Sequence, residues 1–147
     1  MLMDKDVRLC TADTTGNIGT NLLGDVINAE VARDLGAGRP VYLTALVETA
    51  IAATAGGTYQ LLLSSGTDVT LSGAVNHITT DAFDAAAGIA AGTVLINQAL
   101  PAEGSVAYKQ YLAIREVVAV ANTSAGAIDA FLTLDQRAYK AYDQGVV

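Results

Sequence analysis

The chain has 147 residues, enough for one domain with a substantial core, and carries a net charge of −7 from eight Lys and Arg against 15 Asp and Glu. That balance repels nucleic-acid phosphates and argues against direct DNA or RNA binding. Apolar residues make up 52% of the chain, yet aromatics are only 5% and Trp is absent; small and β-branched residues of this kind suit short strands joined by Gly-rich turns.

The first residues, "MLMDKDVRLC", carry charges where a secretion signal needs an apolar run. Cys10 is the only cysteine, so no internal disulfide forms. Its thiol is expected to be a buried small hydrophobe rather than a nucleophile. "TADTTGNIGTN" (11–21) reads as a polar loop and "NLLGDVIN" (21–28) as a first strand. "NAEVARDLG" has helical spacing between Val31 and Leu35, with Gly36 as the stop.

Gly36-Ala37-Gly38 raises the question of a phosphate loop. Such loops leave a strand, turn on glycine and enter a helix whose N–H groups face the anion. Here the order is reversed: the turn feeds Pro40 and then a strand, and no Lys-Ser or Lys-Thr follows. A simple glycine turn is the reading.

Val41, Leu43, Ala45 and Val47 alternate as one apolar face, with Tyr42, Thr44 and Glu48 opposite; Leu46 breaks the pattern. "TYQLLLSS" puts Tyr59, Leu61 and Leu63 on one face. "AVNHITT", "GTVLINQAL" and "YLAIREVVAVA" are further β-like runs. "AIDAFLTLDQ" sets Ile128, Ala130, Leu132 and Leu134 against Asp129 and Thr133. The Ala-rich "TTDAFDAAAGIAAG" reads either as a short helix capped by Thr80 or Asp81 or as an irregular connection. The sum is seven to eight strands, an all-β sandwich or barrel. No apolar run reaches the ~18 residues of a membrane span without a Gly or a charge.

The chemical inventory is thin. His77 is the only histidine, no GxSxG elbow accompanies it, and it reads as a surface or interface side chain. Asp68, Asp81 and Asp84 lack the calcium-loop pattern and read as turn or helix-start acids. Glu48 with Glu103 or Glu116 has no glycosidase motif behind it, and Asp129 and Asp135 read as solvent-face charges. The expectation is a binding or structural module, not an enzyme, with no catalytic, cofactor-binding or metal site.

Four pieces occur in order: "MLMDKDVRL", "RDLGAGRPVYLTALV", "AAGTVLINQALP" and "YLAIREVVAVANTSAGAIDAFLTLDQ". Together they resemble the jelly-roll capsid cement, or decoration, proteins of tailed bacteriophages. The distinctive parts are Arg33-Asp34-Leu35-Gly36 with Pro40-Val41-Tyr42-Leu43, and the hairpin from Tyr111 through Ser124-Ala125-Gly126 to Asp135-Gln136. The chain departs from the family's Tyr-Leu-Arg-Leu at Tyr111-Leu112-Ala113-Ile114, with Arg115 displaced, and its tail "RAYKAYDQGVV" runs past the usual Asp-Gln ending.

The resemblance implies a jelly-roll-like β-sandwich spanning residues 1–147, with N-terminal (about 1–20) and C-terminal (about 137–147) extensions. It implies a non-catalytic protein, made in the host cytoplasm, on the outer capsid surface of the virion. Its partners would be the major capsid protein and itself, as a dimer or a trimer, with no nucleic acid and no membrane. Candidate contacts are Met1, Leu2, Asp4, Lys5 and Arg8 in the charged N-terminus, and Tyr139 and Tyr142 near the C-terminus, aromatics being favoured at interfaces; alternatively both ends pack on their own sandwich. The alternative function is a receptor- or carbohydrate-binding β-sandwich of a phage tail or fibre.

Overall fold

The computed structural model describes residues 8–30, 40–102 and 106–134. Among these the chain forms nine strands and no helix. They are β1 (Arg8–Thr14), β2 (Gly19–Asn28), β3 (Tyr42–Ala53), β4 (Thr58–Gly66), β5 (Val75–Thr79), β6 (Phe83–Asp84), β7 (Val94–Ala99), β8 (Tyr111–Ala119) and β9 (Thr123–Thr133).

One sheet has the order β1-β9-β3-β7 and the other β2-β8-β4-β5, with the two-residue β6 paired to the end of β4. Every pairing is antiparallel. The chain changes sheet at every connection except β4 to β5 and β5 to β6. This is the strand order of a jelly roll, two interleaved Greek keys closed into a sandwich.

Period-two alternation places the core. Leu43, Ala45 and Val47 of β3, Tyr59, Leu61 and Leu63 of β4, and Ile128 and Ala130 of β9 all point inward. Leu46 departs from the alternation for a physical reason: the outer face at the centre of β3 and β9 is buried too. Thr44, Leu46, Phe131 and Thr133 are all buried there, with Thr44 directly opposite Phe131.

β1 and β2 close one side of the sandwich. Gly24 sits at φ +65°, and a Cβ there would collide with the Leu9 carbonyl and lie 2.5 Å from Cys10 Cβ. Only glycine permits that approach. Each of the four edge strands, β1, β2, β5 and β7, carries at least one register shift against its neighbour. Bulged edges are poor templates for open-ended strand pairing.

Two expectations need correction. The polar run 11–21 is a loop only over 15–18, because Thr11–Thr14 complete β1 and Gly19–Asn21 open β2. Edge strands tolerate such polar residues because one of their sides faces water. Much of the segment counted as an N-terminal extension is therefore sandwich. Of the two readings of the Ala-rich segment the irregular connection is the one found, interrupted by the two-residue β6: Ala85 and Ala86 donate to the Gly57 carbonyl, and Ile51 and Ile89 exchange two 2.9 Å hydrogen bonds. Pairing with neighbouring backbone overrides alanine's helix preference, and Gly88 and Gly92 take the positive φ of the turns. The spacing between Val31 and Leu35, and the Gly36-Ala37-Gly38 turn, lie outside the described residues.

Candidate functional site

The jelly roll has two ends of different character. At one end meet the β1–β2 turn (15–18), the β3–β4 turn (54–57), the start of the β6–β7 connection (85–88) and the β8–β9 turn (120–122). Backbone hydrogen bonds knit them: Thr15 N–H to Gly126 O at 3.1 Å, Thr123 N–H to Gly16 O at 3.3 Å, and Ala85 N–H to Gly57 O at 3.0 Å. Ile18 N–H donates to Asn122 Oδ1 at 2.7 Å. None of these turn residues is charged. Ile18 and Val120 stand out from this end, 55% and 70% exposed.

Beneath it lies a buried carboxylate. Glu116 on β8 faces the interior between Asn21 and Leu61 and is fully buried. Its Oε1 accepts from Gly16 N–H at 2.7 Å and from Asn21 Nδ2 at 3.1 Å. Burial pushes its pKa up; the hydrogen bonds from Asn21, Gly16 and the Tyr59 side pull the other way and do not win. The Tyr59 phenol beside it is raised by its own burial and then by the Glu116 charge. Glu116 Oε2 and Tyr59 Oη are both buried without a well-formed hydrogen bond.

At the other end, His77, read from the sequence as a surface or interface side chain, is of intermediate exposure. β5 bulges at His77, which falls between the paired Asn76 and Ile78, and the ring is partly buried, stacked on Tyr108 at 3.9 Å. His77 Nε2 lies 2.7 Å from Ser65 Oγ. A Ser–His contact invites a catalytic reading, but the geometry opposes it. Ser65 is fully buried, and its oxygen already accepts Lys109 N–H at 3.0 Å. Which of Ser65 and His77 donates depends on the imidazole tautomer, and burial lowers the His77 pKa, favouring the neutral ring. This is a structural pin under the 106–110 segment.

A third feature is a groove of about 320 Å³ between the β5–β6 edge and β7, floored by Ile78, Leu95 and Ile96. Its polar rim includes Thr79, Asp81, Asn97 and Gln98, with Phe83 at one side.

The other sequence candidates are dispersed. Arg8 opens β1 opposite Phe131 and lies 3.8 Å from Asp129; Asp129 also accepts Ala12 N–H at 2.7 Å. Met1, Leu2, Asp4, Lys5, Tyr139 and Tyr142, with Glu103 and Asp135, lie outside the described residues. Asp68 caps Thr70 N–H at 2.8 Å, and Asp84 accepts Ala86 and Ala87 N–H. Among the described residues no group of three or more His, Cys, Asp or Glu could hold a metal ion. No helix among them is long and apolar enough to cross a membrane.

The strands from β1 to β9 also coincide with a known sequence family: the Bbp16 family model matches residues 10–132. The chain belongs to the Bbp16 family. This is a phage-associated family. No curated protein matches the chain. The Bbp16 match runs from Cys10 in β1 to Leu132 in β9 and so takes in all of the jelly roll but the outermost residues of β1 and β9, its uncharged loop end included. All seven contact candidates named from the sequence, Arg8 included, fall outside the Bbp16 span. Sequence reasoning missed Glu116 and the Ser65–His77 pin because each depends on which residue the register sets opposite it.

Proposed function

We propose that this Bbp16-family protein is a structural component of a tailed-phage particle. It seats on the outer surface of the icosahedral shell and reinforces junctions between major capsid subunits. The observation that carries the reading is the family match across nearly all of the jelly roll. The physics supports it. A sandwich whose loops are tied by backbone hydrogen bonds resists deformation, and weak contacts repeated by symmetry add through multivalency. An acidic surface is compatible with a position outside the shell, away from packaged DNA.

The test is quantitative mass spectrometry of purified particles. A copy number close to that of the major capsid protein is the expected result. A few copies per particle would assign the protein to the tail, and absence from particles would overturn the reading.

A second reading rests on the β5–β7 groove. Carboxylate, amide and hydroxyl side chains around an apolar floor with one aromatic ring are the chemistry that holds a sugar. Binding on a glycan array that is lost in Asp81→Ala with Phe83→Ala would favour a receptor-binding module instead.

A further inference from the structure

β1 and β2 close one side of the sandwich, but the opposite side is open. There the outermost strands of the two sheets, β5 and β7, flank the groove of about 320 Å³. Register shows how deep the opening reaches. Ala45 pairs with Ile96 and Leu43 with Gln98, and directly paired residues point to the same face of a sheet. Leu43, Ala45 and Ile96 belong to the core, so Gln98 occupies an inward position on β7. It is nevertheless polar and exposed. Phe83 of β6 repeats the anomaly from the other sheet: it pairs with the buried Tyr59, yet it is only partly buried. Alternation calls for covered apolar side chains at both positions, and a glutamine between the sheets adds nothing to the core.

The bank that carries Asp81 is fixed in place. Thr80 accepts Leu61 N–H on Oγ1 at 3.0 Å and Gln60 Nε2 on its carbonyl at 3.1 Å, and its own N–H donates to Leu61 O at 3.0 Å. Asp81 and Gln98 enter none of these bonds and stay exposed. A slot whose wall is set in advance loses little freedom when a ligand arrives.

We propose that this slot binds an uncharged pyranose ring of a glycan, read by Gln98 and Phe83. The apolar floor and the Phe83 ring suit the C–H face of a sugar. Gln98 both donates and accepts, and Asp81 accepts from hydroxyls. Charge decides the class. Asp81 is the only ionisable residue lining the slot, and the whole chain stands at −7, so sialic acids, uronates and sulfated sugars are repelled. A purely apolar ligand would strand Asp81 and Gln98 without water or partner. An extended peptide would have to pair with β5 or β7, and both edges carry register shifts. The volume lies at the lower end of the ~300–1,000 Å³ of small-ligand sites, room for roughly one or two sugar rings. The inference rests on the sugar reading of the groove given above and adds the ligand's charge class and the residues that read it. It holds for a chain on the shell or in the tail.

The experiment is an NMR titration of the full chain. The neutral probes are hexose, 6-deoxyhexose and N-acetylhexosamine oligosaccharides, and the acidic ones are sialyllactose and a hyaluronate tetrasaccharide. A neutral probe is expected to shift the amides of 78–83 and 95–98 with a Kd on the order of 1 mM or tighter, and the acidic probes should leave them unmoved. Gln98→Ala alters an exposed side chain, so it should fold normally and weaken that binding about tenfold or more. Phe83→Leu keeps an apolar side chain on the core and should weaken it too, whereas Asp81→Lys should admit the acidic probes. Acidic probes that bind the wild-type slot as well as neutral ones would overturn the proposal and leave the sugar reading of the groove standing. Neutral binding indifferent to both Gln98→Ala and Phe83→Leu would do the same. If no sugar moves 78–83 or 95–98, both fail.

Discussion

Gly16 N–H donates to Glu116 Oε1 at 2.7 Å, joining the β1–β2 turn to the middle of β8 across 100 residues of chain. The turn that carries Ile18 is thus held by a carboxylate with no access to water. Because burial raises the folded-state pKa of Glu116 above its unfolded value of 4.5, its contribution is complete below that value and is lost as pH rises through the folded one. Glu116→Gln keeps the acceptor for Gly16 and removes the charge. Above the transition it should be more stable than wild type by about 1 kcal/mol, roughly 4 °C in Tm. At pH below the unfolded value the two should melt alike. Thermal melts across pH check this, and a less stable Glu116→Gln at pH 8 would show that the ionised form is needed.

His77 works in the opposite direction. Burial lowers its folded pKa below the unfolded 6.5. Its contribution is therefore intact above 6.5 and is lost as pH falls below that value, where the unfolded chain gains the proton first. The two windows overlap between 4.5 and 6.5 and act with opposite slopes, Glu116 losing its contribution as pH rises and His77 as it falls. His77→Gln should remove the loss of stability below 6.5 and leave the Glu116 loss above 4.5 in place. Ser65→Ala should cost about 2 kcal/mol by stranding Lys109 N–H. A serine-directed fluorophosphonate should leave the native protein unlabelled; stoichiometric labelling of Ser65 would revive a catalytic reading.

The strands with clear alternation, β3, β4 and β9, lie where the period of two puts them, and β2, β5, β7 and β8 lie in runs legible as β-like from their composition. β1 was not legible, because an edge strand with only Leu9 and Cys10 fully buried has too few apolar positions to show a period. The Ala-rich segment was ambiguous because its structure is set by Gly57 and Ile51, distant in sequence. The same holds for function. Ser65 and His77 meet through the β4–β5 register, and Glu116 looks like any strand glutamate until β2 and β4 flank it. The lack of charge in four separate turns was present in the sequence, but only the topology brings those turns together.

Gly24 tests how tightly the closed side of the sandwich is built. Any side chain must displace the Leu9 carbonyl or the Cys10 side chain and must also accept φ +65°. Gly24→Ala should destabilise by about 3 kcal/mol, combining overpacking with left-handed strain. Gly73, also at positive φ but with open space around its Cβ position, isolates the backbone part: Gly73→Ala should cost about 1 kcal/mol. Chemical denaturation of both variants separates steric from conformational cost; equal losses would mean that β1 and β2 separate readily.

Cys10 reports on that same seam. It is 3% exposed, between β9 and Gly24, and burial, then the charges of Asp13 and Asp129, push its thiol up to about 12. The thiolate is the reactive form, so native protein at pH 8 should react with a thiol reagent only through opening of β1. If β1 opens only with the whole sandwich, labelling should be as slow as global unfolding allows, and Gly24→Ala should accelerate it by about a hundredfold for the ~3 kcal/mol lost. If β1 detaches locally, labelling would be much faster than unfolding and nearly indifferent to denaturant. That second outcome would make β1 a separable edge, available for exchange with a neighbouring subunit rather than a fixed wall of the jelly roll.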